Sequence, residues 1–133
     1  MDIYAQNVLD RYKAPYHKDK AITANVHHHE SNHACGDTLA LKLCVDGDKV
    51  TDYSFTGHGC TISMASADML GDLIKDMPLS GVLALTKEDI YKMLGIEVSL
   101  RRSKCALLSL LALQNALLIK QQKEKRSWTD YHL

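Results

Sequence analysis

Cys35 and Asp37 lie two residues apart in Ala34-Cys35-Gly36-Asp37. In an extended chain residues at that spacing face the same side, and thiolate sulfur and carboxylate oxygen are both anionic metal ligands. The pair can therefore address one ion together. Two ligands do not close a tetrahedral site, so further ones must come from distant parts of the chain. The other cysteines, Cys44, Cys60 and Cys105, are the first place to look. Cys60 follows the turn Gly57-His58-Gly59 at a predicted strand-to-helix junction, and Cys105 falls in the first turn of the last predicted helix. A helix N-terminus carries partial positive charge, which lowers a thiol's pKa and favours the thiolate that binds metal or attacks sulfur. Gly36 and Gly59, beside two of these cysteines, leave room for a bulky ligand or partner. Cys44 sits mid-strand, out of phase with the apolar face, and reads as a packing residue without a metal role.

The elements that must position these residues follow from the hydrophobic periodicity. Asp2 caps a first helix with Ile3, Tyr4, Val8 and Tyr12 at three- and four-residue spacing, ended by Pro15. Residues 1–20 thus read as an amphipathic arm that docks on the core or on a partner. Ile22 to His28 alternates as a half-buried edge strand, with Ile22, Ala24 and Val26 on one side. Thr38 to Val45 alternates more cleanly and meets Asp46-Gly47-Asp48, a hairpin turn from which Lys49 to Thr56 returns. A helix follows Cys60 with Ile62, Ala65, Met69, Leu73 and Ile74 on one side. Thr86 and Asp89 resemble a capping box opening a short helix that Gly95 closes. The last helix starts near Ser103 and finishes in Lys120, Lys123, Lys125 and Arg126, which suit the negative end of its dipole. Residues 127–133 read as a tail, either mobile or docked elsewhere. The predicted fold is α+β, a three-stranded antiparallel sheet covered by helices, with an N-terminal helix and a long C-terminal one.

At 133 residues the chain reads as a single domain, 1–133, able to bury a core without disulfides. Sixteen basic and sixteen acidic residues cancel, so charge supplies no case for a nucleic-acid or membrane partner. The most apolar stretch, Ala106 to Ile119, is too short to span a bilayer and reads as a core helix. No secretory segment opens the sequence, so a cytoplasmic, reducing setting is expected, where cysteines serve as ligands or nucleophiles more often than as bridges.

Ala34-Cys35-Gly36-Asp37, Gly57-His58-Gly59-Cys60 with Ser63-Met64-Ala65-Ser66-Ala67, and Lys104-Cys105-Ala106 resemble the three signature segments of the IscU/SufU/NifU N-terminal family of iron–sulfur cluster assembly scaffolds. The resemblance covers nearly the whole chain, including Tyr12-Lys13-Ala14-Pro15. It implies that Cys35, Cys60 and Cys105 accept sulfur and hold a [2Fe–2S] cluster, iron or Zn2+, with Asp37 as the oxygen ligand whose weaker grip keeps a cluster transferable. It further implies a cysteine desulfurase as donor and apoproteins or cluster carriers as recipients. Two departures stand out. Lys104 occupies the place where IscU-type members carry histidine, as it tends to in the SufU-type branch, yet the interval from Cys60 to Cys105 is too short for the insertion of that branch. Glu97 to Arg102 replaces the proline-containing chaperone segment, which argues against handoff through the dedicated Hsp70 system.

Arg102 and Lys104 are expected to place positive charge beside the Cys105 thiolate. His27, His28 and His29 read as a polar strand end, and His33 as a solvated loop residue rather than a replacement ligand. The expected function is a non-enzymatic scaffold. The alternative is a zinc-dependent sulfurtransferase that takes persulfide sulfur from the desulfurase. A hydrolytic zinc enzyme is disfavoured, since histidines are not arranged for it.

Overall fold

The computed structural model describes residues 2–133. Strands β1 (Val26–Asn32), β2 (Asp37–Asp46) and β3 (Lys49–His58) form one antiparallel sheet in the order β1-β2-β3. Helix α1 (Ile3–Lys13) precedes the sheet. After it come α2 (Thr61–Leu73), the short α3 (Leu79–Leu83), α4 (Lys87–Leu94) and the long α5 (Ser103–Lys120). The α+β architecture is therefore the expected one.

The alternation of β2 determines which face is buried. Leu39, Leu41, Leu43 and Val45 all point inward, and across the hairpin Leu41 pairs with Phe55 and Leu43 with Tyr53. Gly47 makes the turn with φ +60°, a conformation open to glycine at little cost. On this face lies α5, packed against β1, β2 and α2. Every residue of α5 from Cys105 to Leu118 is buried, so the helix is enclosed on all sides, with Ser109, Gln114 and Asn115 among apolar residues, and serves as the core rather than as a cover. Among the described residues, one helical stretch, Leu100–Lys120, is long and apolar enough to cross a membrane, but 83% of its apolar window is buried inside the fold. Thr86 and Asp89 form the reciprocal capping box of α4, and Gly95 ends it at φ +70°.

Three expectations about the frame are corrected, and one left open is decided. The first strand is not Ile22–His28 but Val26–Asn32. Its inward phase is as expected, but beyond Val26 the inward residues are His28, Glu30 and Asn32. Hydrogen bonds hold them there: His28 Nε2 with Glu30 Oε1 at 2.8 Å, and Glu30 Oε1 accepting from Asn115 Nδ2 at 2.9 Å. A polar inner face leaves no hydrophobic period to read. Secondly, α1 does not dock through its whole apolar stripe. Val8 is buried, whereas Ile3, Tyr4 and Tyr12 are exposed. The arm is held by charge. Arg11 donates to fully buried Asp68 (Nε to Oδ2, 2.7 Å) and also reaches Asp72 at 2.8 Å. The backbone N–H groups of Tyr16 and His17 complete the Asp68 carboxylate at 3.0 and 2.7 Å. Thirdly, α5 stops at Lys120, so Lys123, Lys125 and Arg126 lie beyond the helix instead of compensating its dipole. Of the two alternatives for the tail, docking is the observed one: Trp128–Tyr131 forms a 3₁₀ turn and Tyr131 is buried.

Removing one partner of a buried ion pair leaves the other without compensation. Asp68→Ala is accordingly expected to lower unfolding free energy by about 3 to 5 kcal/mol, measured by urea denaturation.

Candidate metal and sulfur site

Each candidate residue stands where an element begins. After β1, the chain turns through residues 33–36, with Gly36 at φ +77°. This turn delivers Cys35 to the surface and Asp37 to the first position of β2. At the far end of β3 the chain enters α2 through Cys60, which is the N-cap: its Sγ accepts from the Ser63 N–H at 3.5 Å. Cys105 is the third residue of α5 and is buried. One end of the sheet and the N-termini of two helices thus meet.

Donor atoms of Cys35, Asp37 and Cys105 all lie within 4.8 Å of one another. The Cys105 thiol donates to Cys35 Sγ at 3.7 Å. Asn32, at the end of β1, donates its Nδ2 to the same Cys35 sulfur at 2.9 Å. Asp37 is only 4% exposed, and its Oδ2 is buried with no hydrogen-bond partner among the described residues. Leaving a buried carboxylate oxygen unpaired is costly. Gly59 explains how the carboxylate fits: a Cβ there would stand 3.0 Å from Asp37 Oδ1 and 3.0 Å from Ser63 Oγ. Cys60 falls outside the compact trio, but its thiol and charge act on Cys105 directly.

The electrostatics correct one expectation. A helix N-terminus was expected to lower the pKa of the Cys105 thiol; it is instead raised well above the ordinary thiol range. Burial is the largest cause, followed by the hydrogen bond to Cys35 and the charge and hydrogen bonding of Cys60. Desolvation and neighbouring anions outweigh the dipole. Arg102 stands beside these sulfurs, its guanidinium holding its proton more tightly chiefly through the charge of Cys60, then through the hydrogen bond and charge of Cys105. Lys104 turns elsewhere, with its ammonium 5.8 Å above the Trp128 ring. His33 lies exposed in the turn, outside the donor cluster, and Cys44 sits on the sheet away from it. Sequence reasoning overlooked Asn32. The only signal for it was its position at the strand end three residues before Cys35.

Clustered thiols, an unpaired buried carboxylate and an adjacent guanidinium on a small α+β frame define a domain equipped to hold a metal or to handle sulfur. The chain belongs to the family of the NifU-like N-terminal domain, whose model matches residues 3–127. It is 33% identical to the zinc-dependent sulfurtransferase SufU of Bacillus subtilis, over 86% of this chain and 89% of that protein. To the iron–sulfur cluster assembly scaffold protein IscU of Streptococcus pyogenes serotype M1 it is 29% identical, over 98% and 91%. Among solved structures, a crystal structure described as a hypothetical protein superposes with a TM-score of 0.75 at 30% identity, covering 86% of this chain and 96% of that one.

In metal-free, reduced protein at pH 8, the raised pKa keeps Cys105 protonated while Cys35 is exposed and bonded to Asn32. Site-resolved mass spectrometry should therefore find Cys35 alkylated first and Cys105 slowest among Cys35, Cys60 and Cys105.

Proposed function

We propose that this chain is an iron–sulfur cluster assembly scaffold, working as a single domain in the reducing cytoplasm. Cys35, Asp37, Cys60 and Cys105 would hold the nascent [2Fe–2S] cluster as cargo. The observation that carries this reading is the Asp37 carboxylate, buried without a partner beside the Cys35–Cys105 thiol pair. A cation bound by these donors would offset the cost of that burial. Three thiols and one carboxylate also supply the four ligands a two-iron cluster needs.

Sulfur would arrive as a persulfide from a cysteine desulfurase. A site thiolate attacks the outer sulfur of the donor persulfide, a new S–S bond forms on this chain, the donor's S–S bond breaks, and the donor cysteine leaves as thiolate. Asn32 favours Cys35 as that nucleophile by donating to its sulfur. Arg102 supplies the positive charge for the anionic product near Cys60 and Cys105. Recipient apoproteins or carriers would then take the cluster, with no nucleic acid or membrane involved.

A zinc-dependent sulfurtransferase is the second reading. Two thiolates on one tetrahedral zinc stand about 3.8 Å apart, given Zn–S bonds of about 2.3 Å, and Cys35 and Cys105 are 3.7 Å apart. The Bacillus relative named for zinc dependence supports it as well. In this reading Cys35, Asp37, Cys60 and Cys105 would hold the zinc, which would supply Lewis acidity favouring thiolates, and one of the three thiolates would accept the sulfur.

Reconstitution with iron, cysteine and a desulfurase decides between them. The scaffold reading expects iron and acid-labile sulfide in equal amounts, with visible absorption from the cluster. Zinc retention, no labile sulfide and faster desulfurase turnover would replace it with the second reading. A separate expectation concerns Gly59→Ala, whose methyl group would press on Asp37. It should weaken metal affinity about tenfold, as changes that reorient a ligand typically do, when assayed by chelator competition.

A further inference from the structure

Beside Cys35 and Cys105 opens a cavity of about 640 Å³. One wall is the turn from Asn32 to Cys35 and another the stretch from Leu100 to Cys105. The third is made by His132 and Leu133, from the tail. Nothing in the chain's periodicity requires that tail to return to the thiols, so what holds it there is informative.

Gln114 is the centre of the latch. It is fully buried in the mostly apolar α5. Its Nε2 donates to the carbonyls of Val82 and Leu85, both at 3.0 Å. That orientation turns Oε1 towards the tail, where it accepts from the Tyr131 hydroxyl and from Arg126 Nη1 at 2.6 Å. Asn115 grips the Arg126 backbone in both directions, accepting from its N–H at 2.7 Å and donating to its carbonyl at 3.1 Å. Ser127 and Asp130 cap the final 3₁₀ turn. Trp128 lies under the Lys104 ammonium, one residue from Cys105. Buried amides cost stability unless fully paired. Every partner of the Gln114 Oε1 lies in the segment after α5.

We propose that His132 and Leu133, held in place by residues 126–131, form a fixed wall of the thiol site that sets the size of what reaches Cys105, with Gln114 and Tyr131 as positioning residues. The group admitted is a slender sulfane-sulfur carrier, a persulfide at the tip of a narrow segment or on a small molecule, and bulky thiol-reactive groups are excluded. The purpose assigned to the wall rests on the sulfur-accepting reading above, whereas thiol access can be measured without it.

The test uses the reduced, metal-free full chain, with iodoacetamide as the small probe and a bulky aromatic maleimide as the large one. Rates at each cysteine are read by mass spectrometry, and Cys44, on the sheet away from the cavity, is the internal control. In Tyr131→Ala and in Trp128→Ala, the maleimide rate at Cys105 should rise about tenfold, the scale expected when a buried latch contact is lost. The iodoacetamide rate should rise less, and Cys44 should not change. A Cys105 maleimide rate that stays as in the parent chain would overturn the proposal. So would a rise of equal size for both reagents, or one matched at Cys44. Should either variant lose its helical circular dichroism, Tyr131→Phe decides, because it keeps the ring and removes only the hydroxyl. A smaller but size-dependent rise is then expected, and none would overturn the wall. Failure to assemble a cluster or bind zinc would refute the functional reading and leave these rates unaffected, so the two can fail separately.

Discussion

A buried carboxylate with one oxygen unpaired, whose group reaches within 4.8 Å of two cysteine sulfurs, is costly for a protein that must also fold. Water is excluded, no cation pairs with Asp37 among the described residues, and the neighbouring thiols add negative charge whenever they ionise. The surrounding structure answers that constraint in several ways. Gly59 gives up a side chain so that the carboxylate has room. The Cys105 thiol stays protonated and donates to Cys35, which spreads charge the site cannot otherwise tolerate. Arg102 supplies positive charge from the solvent side. A bound cation would relieve the same cost more completely, and for that reason the arrangement reads as a prepared metal site rather than as accidental crowding.

Holding such a site together calls for rigid supports, and the frame supplies them through α5. Its first turn contributes Cys105, its middle fills the core between β1 and α2, and its two buried amides bind the segment that follows it. Through Asn115 and Glu30 the same helix also fixes the polar inner face of β1, which ends at Asn32 and the Cys35 turn. Movement of α5 would therefore disturb both thiols of the close pair. The Arg11–Asp68 pair fixes α1 to α2 in the same manner, and α2 begins at Cys60.

Much of this could be read from the sequence, for identifiable reasons. The β2–β3 hairpin was legible because alternation and Asp46-Gly47-Asp48 agree. The capped helices were legible because Asp2, Thr86 and Asp89 are side chains whose capping role is local. Cys35 and Asp37 were legible as a pair because both are anionic ligands close in sequence, although the extended geometry expected to align them is replaced by a turn, with Cys35 ahead of β2 and Gly36 at φ +77°. The rest depended on contacts across long stretches of chain. His28, Glu30 and Asn32 are inward but polar, so periodicity placed the first strand too early. Arg11 docks α1 by charge, where an apolar stripe suggested packing. Lys104 neighbours Cys105 in sequence, yet its side chain turns to Trp128. The Cys105 pKa follows burial, which a one-dimensional reading cannot weigh against the helix dipole.

The central claim is that three sulfurs and one oxygen, from Cys35, Cys60, Cys105 and Asp37, converge on metal. X-ray absorption spectroscopy at the metal edge of the loaded protein tests it most directly, with Asp37→Ala measured alongside. The account predicts sulfur-dominated scattering with one light-atom ligand from the protein in the parent chain, and loss of that ligand in Asp37→Ala. A light-atom shell identical in both, or a first shell with no sulfur, would contradict it.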